Sequence, residues 1–79
     1  MMAIKRSEIA AEAWRQRYIA DRCEIEEMEA GIARALAGEC SDEEWGQLCR
    51  EGQFGQRMPQ SLEAVDSILK AVYQGSVRR

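Results

Sequence analysis

The side chains of this sequence that are best suited to chemistry are carboxylates and thiols, because the chain contains no histidine. Histidine is the commonest general base at neutral pH, and its absence weakens any hydrolytic mechanism. Two carboxylates could replace it only if burial raised the pKa of one of them. The densest acidic run, residues 24–29, lies in a hydrophilic stretch. We therefore expect no enzymatic activity.

The three cysteines, Cys23, Cys40 and Cys49, do not have the spacing of a metal site. They are 17 and 9 residues apart, whereas structural zinc sites use clustered ligands such as C-x-x-C. Free cysteine is among the residue types most often buried, so we interpret these three as small core residues. We predict neither a metal nor a cofactor. The odd number of cysteines and the lack of an apolar leader favour a reducing, cytoplasmic location.

Helix-forming signals dominate the sequence around these side chains. Ser7 is a plausible N-cap, and the first glycine after it is Gly31, so we predict one long helix over residues 7–37. Gly31 either allows close packing or breaks this helix into two. Apolar residues follow an a/d-like stripe along the helix, with Asp21 as the polar exception. The stripe consists of Ile4, Ala11, Trp14, Tyr18, Ile25, Met28, Ile32 and Ala35.

Two shorter helices are predicted after Gly38, a good C-terminal glycine. Ser41 and Glu44 have capping-box spacing and start a helix over residues 41–51. Pro59 opens a third helix over residues 60–74, and no stretch alternates like a strand. The expected fold is therefore a single all-α domain of 1–79, with two helices folded back on a long first helix.

Several candidate contact residues follow from this arrangement. Helix 1 is too long for the rest of the chain to cover, so Trp14 and Tyr18 become candidates for a helical homodimer interface if the shorter helices pack on residues 22–37. Phe54, between Gly52 and Gly55, is either a core residue or an anchor for a partner. No apolar run approaches the length needed to span a membrane, so no membrane-spanning helix is expected.

Charge is distributed unevenly along the chain. Residues 23–51 hold nine acidic and two basic side chains, whereas the segments on either side carry a small basic excess. This acidic middle is either a solvated helix surface or a negative patch for a basic partner. On the second interpretation the partner-binding residues are Glu24, Glu26, Glu27, Glu29, Asp42, Glu43 and Glu44.

Two functions remain compatible with these features. In size, acidity and lack of catalytic groups, the chain is similar to phage-encoded anti-defence proteins, anti-CRISPR proteins among them, and this similarity rests on general character without a shared motif. It implies an inhibitor or adaptor that occupies a basic, nucleic-acid-binding surface of a host complex. The alternative is a small dimeric DNA-binding regulator or antitoxin. Its footprint would be Lys5, Arg6, Arg15, Arg17 and Arg22. Because the acids dominate, we expect a protein partner and not nucleic acid.

Overall fold

The computed structural model describes residues 4–54 and 58–77, with side chains described as far as Gly75. Over these residues the chain forms helices and no strand, which confirms the all-α prediction. The helices are α1 (Arg6–Ile19), α2 (Ile25–Leu36), α3 (Asp42–Gly52) and α4 (Leu62–Val77). None of these four helices has both the length and the apolar character needed to cross a membrane.

The prediction of one unbroken helix over residues 7–37 is wrong, because the chain turns back between Ile19 and Ile25. Asp21 adopts a left-handed conformation with φ of 62°. The backbone N–H of Arg22 donates to the carbonyl of Arg17 at 2.8 Å, and that of Asp21 to the carbonyl of Tyr18 at 3.0 Å. These two bonds form a Schellman motif, in which aspartate replaces the more usual glycine. The predicted first helix is therefore two helices, α1 and α2, joined by a tight turn.

Gly31 lies in the middle of α2 and allows that helix to approach α1 closely. A Cβ atom at this position would lie 2.3 Å from two ring carbons of Trp14, which is far inside van der Waals contact. The indole ring thus rests directly on the α2 backbone, and Trp14 is only 8% exposed. Of the two roles considered for Gly31, close packing is the one observed.

Of the signals predicted around the second interhelical turn, the Gly38 turn and the Ser41 cap form, but the reciprocal bond of a capping box does not. The Glu44 carboxylate bonds Trp14 and Arg34 instead. Gly38 has φ of 77°, and the N–H of Glu39 donates to the carbonyl of Arg34 at 2.8 Å. Ser41 Oγ accepts the backbone N–H of Glu44 at 3.1 Å, so it caps the start of α3. Local side-chain chemistry is sufficient to place this boundary.

Gly52 ends α3, yet the left-handed residue is the next one, Gln53, with φ of 58°. Glycine is needed at position 52 for a steric reason. A Cβ there would come within 2.8 Å of the Phe54 ring and 3.0 Å of Leu69. The glycine therefore gives Phe54 room to close the core beneath the loop.

The shared packing partner of the other helices is α1. Helices α3 and α4 pack on α1 and on each other, whereas α2 packs on α1 alone among the described helices. The two later helices therefore pack on α1, and not on residues 22–37 as expected. The core consists of Ile9, Ala10, Ala13, Trp14, Ala20, Ala35, Leu48, Phe54, Val65, Leu69 and Tyr73. Because α1 is enclosed on several sides, it is not amphipathic in the way that α2 is.

Candidate partner-binding surface

The first half of α2 carries four glutamates, Glu24, Glu26, Glu27 and Glu29, which we call the α2 acidic cluster. All four are exposed. Glu27 Oε1 accepts the backbone N–H of Glu24 at 3.1 Å and so helps to cap the helix. Within the described part of the chain, none of the four forms an ion pair with lysine or arginine. Their negative charge is therefore available to an external partner.

Of the three acids at the start of α3, two form ion pairs within the chain. Asp42 Oδ1 pairs with Arg6 Nη2 at 2.9 Å, and Glu44 Oε1 pairs with Arg34 Nη2 at 3.2 Å. Glu44 Oε2 also accepts the indole N–H of Trp14 at 3.1 Å. The Glu44 side chain thus links α3 to both α1 and α2. Of the three predicted contact residues in this group, only Glu43 is both exposed and outside an ion pair among the described residues.

The two acidic groups differ in their position relative to α2 and in their pairing. The α2 acidic cluster lies at the N-terminal end of α2, and Asp42 follows the C-terminal end of the same helix. After Glu29, the last acid of the cluster, residues 30–36 of α2 remain, which is about 10 Å of helix. Because two of the three acids at the start of α3 form ion pairs within the chain, the α2 acidic cluster is the better candidate surface.

Trp14 and Tyr18 were predicted together as a dimer interface, and the structure separates them. The Trp14 ring is buried within the chain between Arg17 and Arg34, whose guanidinium carbons lie 4.8 and 5.7 Å from its centre. Tyr18, one turn later, is 41% exposed. Trp14 is therefore a core residue that brings α1, α2 and α3 together. Tyr18 is the member of the pair that a partner can reach.

Phe54 is also a core residue in this structure. It is 2% exposed and packs over Gly52 in the same cluster as Leu69. Of the two roles predicted for it, core packing is the one that the structure displays. An aromatic ring buried in this way offers no anchor unless the loop after α3 opens.

Arg17, one of the predicted DNA-contacting residues, belongs to a partly buried network between α1, α3 and α4. Its guanidinium bonds both carboxylate oxygens of Glu51, at 3.0 and 2.6 Å, and Tyr73 Oη donates to Glu51 Oε1 at 2.8 Å. Burial alone would raise the pKa of Glu51, but the hydrogen bonds from Arg17 and Tyr73 outweigh it and lower that pKa. Burial and the bond to Glu51 both raise the pKa of Tyr73. This network holds its charges in place and leaves none for a ligand.

A second network joins α1 to α4 through the buried Gln16. Its Nε2 donates to Glu12 Oε2 at 2.8 Å and to Asp66 Oδ1 at 2.5 Å. Arg15 pairs with Glu12, and Lys70 Nζ pairs with Asp66 Oδ2 at 3.1 Å. The bond from Lys70 contributes most to lowering the pKa of Asp66. Nothing in the sequence pattern pointed to this network, because its partners are up to 50 residues apart.

The three thiols show no sign of activation. Burial raises the pKa of Cys23, Cys40 and Cys49, and all three are free and half-buried. A reactive cysteine needs a lowered pKa so that the thiolate forms at neutral pH. Among the residues that the structure describes, no group of three acidic or thiol side chains is placed to hold a metal ion.

Two exposed aliphatic residues on α2 were missed by the sequence analysis. Ile25 is 46% and Leu36 61% exposed, and Leu36 is the most exposed large apolar residue described. The sequence pattern placed Ile25 in a buried stripe because it assumed one continuous helix. Once the chain turns at Asp21, Ile25 lies at the start of α2 and Leu36 at its end, and both remain exposed.

Comparisons of the chain with protein-family models, with curated proteins and with solved structures find no match.

Proposed function

We propose that the chain is a non-catalytic inhibitor or adaptor that binds a basic surface of a partner protein. The observation that carries the proposal is the α2 acidic cluster, four exposed glutamates without an ion pair among the described residues. Exposed charges of one sign steer association with an oppositely charged surface and increase its rate at low salt.

The distribution of ion pairs supports this choice of surface. Glu12, Asp42, Glu44, Glu51 and Asp66 each pair with a lysine or arginine of the chain. The unpaired acids of residues 21–29 are accompanied by one basic residue, Arg22. Free negative charge is thus concentrated at the turn between α1 and α2 and along the first turns of α2.

A basic surface in a protein is commonly one that binds nucleic acid. The concrete form of the proposal is accordingly a phage-encoded anti-defence protein, similar in character to anti-CRISPR proteins, which covers the nucleic-acid-binding surface of a host complex. The non-catalytic part rests on side-chain chemistry: the chain lacks histidine, and its three thiols have raised pKa values.

The test is affinity capture followed by competition. The tagged wild-type chain is used to capture proteins from a lysate of the cells in which it is naturally produced. Each captured protein is then assayed for nucleic-acid binding with and without the chain. We expect the chain to inhibit that binding. Replacement of Glu24, Glu26, Glu27 and Glu29 by glutamine should weaken capture by more than tenfold and reduce its dependence on salt.

The matched control replaces exposed acids outside the cluster, Glu39, Glu43 and Glu63, by glutamine. This variant loses nearly as much charge but should retain the partner. If the control and the cluster variant lose the partner equally, the α2 acidic cluster is not the binding surface. Salt-sensitive binding of the wild-type chain to generic DNA, without a protein partner, would instead favour the regulator or antitoxin.

The regulator or antitoxin ranks second because its basic footprint is largely occupied. Arg6, Arg15 and Arg17 are in ion pairs with Asp42, Glu12 and Glu51. Phosphate contacts by these arginines would have to replace interactions within the chain. Homodimerisation through α1 stays a separate prediction, now carried by Tyr18 alone. Sedimentation of the Tyr18→Arg variant, which should lower the apparent mass of any dimer, tests it.

A further inference from the structure

One side of α2 carries an apolar stripe whose two ends, Ile25 and Leu36, are exposed. Ile25, Met28, Ile32 and Leu36 are spaced three or four residues apart, so they lie along one side of the helix. Met28 and Ile32 are half-buried against the core, whereas Ile25 and Leu36 project further into solvent. The middle of the stripe therefore packs against the core, and its two ends are exposed to solvent.

We propose that this stripe docks an amphipathic helix of the partner protein, one that carries lysine or arginine beside its apolar face. The inference rests on the proposed function and specifies which part of the partner is bound. It adds an apolar contact to the electrostatic one. Exposed apolar residues with a polar border are typical of protein interaction sites.

The charges beside the stripe determine what kind of helix can bind. By helical periodicity, Glu29 lies next to Ile25 and Leu36, and Glu26 lies further round the same exposed side. Both are unpaired among the described residues. An occupant without basic residues would leave these carboxylates close to an apolar contact without a counter-charge, which is unfavourable. A basic border on the partner removes that penalty.

The length and shape of the stripe favour a helix over other basic partners. From Ile25 to Leu36 it extends about three turns, which matches apolar anchors at i, i+3 or i+4, and i+7 of a second helix. A phosphate backbone would be repelled by the glutamates. An extended basic segment would satisfy the charges but leave much of Ile25 and Leu36 in water.

A second copy of the chain is a poor occupant for electrostatic reasons. Two α2 helices packed in parallel would place their acidic clusters side by side. Packed antiparallel, each cluster would face the C-terminal half of α2, where the basic residue is Arg34, already paired with Glu44. Neither arrangement supplies a free counter-charge from the described residues.

The experiment uses two synthetic peptides of about 18 residues, roughly five helical turns, made of leucine and lysine. In one the leucines form a single helical face, and in the other the same residues are scrambled so that no face exists. Binding of each to the full chain is measured by calorimetry at two salt concentrations. We expect the amphipathic peptide to bind at least tenfold more tightly than the scrambled one.

The variants locate the contact. Ile25→Gln with Leu36→Gln should abolish the preference for the amphipathic peptide and leave weak, salt-sensitive binding of both. Leu62→Gln is the matched control, because Leu62 is a similarly exposed aliphatic residue on α4, at 46%. It should retain the full preference. Circular dichroism of each variant shows whether the helices remain folded.

Three results would overturn the inference. Equal affinity of both peptides for the wild-type chain would show that charge alone acts, and the proposed function could still stand. Equal loss of preference in the double variant and in Leu62→Gln would place the contact elsewhere. A wild-type dimer that the Ile25 and Leu36 substitutions dissociate would make a second copy the occupant. Failure of the proposed function is recognised separately, by capture that survives removal of the acidic cluster.

Discussion

The charges around α1 and the charges at the start of α2 differ in how they are satisfied. Around α1, Glu44, Glu51 and Asp66 reach from α3 and α4 to arginine, tryptophan or glutamine partners on α1. At the start of α2, the four glutamates of the acidic cluster have no such partners among the described residues. The first group holds helices together, and the second is free for another molecule. Acids of the same sequence can therefore have opposite roles.

The largest effect on stability should come from removing Trp14, where α1, α2 and α3 meet. We expect Trp14→Ala to lower the free energy of unfolding by about 3–5 kcal/mol, because a large buried ring is lost and the N–H···Glu44 bond with it. Urea unfolding followed by circular dichroism measures this change. If the variant keeps its stability but sediments as a monomer where the wild type is a dimer, Trp14 belongs to an intermolecular interface.

A Cβ atom at Gly31 should have the next largest effect. Alanine has a higher helix propensity than glycine, yet Gly31→Ala places a methyl group against the Trp14 ring. We expect this overpacking to lower stability by about 1–3 kcal/mol. Gly75→Ala is the matched control on α4, where no atom lies within 4 Å of the added carbon. It should raise stability by about 0.5–1 kcal/mol. Stabilisation by both variants would contradict the close packing of α1 on α2.

Glu51 should make stability depend on pH, because its pKa is lower in the folded state than its ordinary value of 4.5. The unfolded chain takes up this proton first as the pH falls. The contribution of Glu51 is thus fully present above about pH 4.5 and is lost as the pH falls through the lowered pKa.

We expect Glu51→Gln to lower stability by about 1–2 kcal/mol at pH 7, and the difference from wild type to shrink at lower pH. Glu63→Gln, on the exposed surface, is the control. Thermal unfolding across this pH range measures both. A difference that stays constant with pH would show that the charge of Glu51 is not what stabilises the network.

The smallest effect on stability should come from the α2 acidic cluster. Replacing its four glutamates by glutamine should change the free energy of unfolding by less than about 0.5 kcal/mol, because no ion pair within the described residues is lost and glutamine can still cap the helix. Urea unfolding provides the measurement. A large loss would mean that these charges serve the fold, and the contrast with the α1 networks would disappear.

The turn at Asp21 shows where sequence reasoning reached its limit. The predicted breaker was glycine, and Asp21 was noted only as a polar gap in the apolar stripe. Aspartate tolerates the left-handed conformation less readily than glycine, so its presence alone does not predict a helix end. Packing of α2 back on α1 through Gly31 and Trp14 provides stability that the local sequence does not reveal.

Features that act within one or two helical turns could be predicted from neighbouring residues. The Ser41 cap, the Gly38 turn, the helical character of every described element and the excess of acids near residue 24 all follow from neighbouring residues. The packing of the helices determines which acids are paired, whether Trp14 or Tyr18 is exposed, and which apolar residues of α2 stay in solvent. The ion pairs and contacts that settle these questions join residues that are mostly distant in sequence, as with Trp14 and Glu44, 30 positions apart. Local propensity carries no information about such distant pairings.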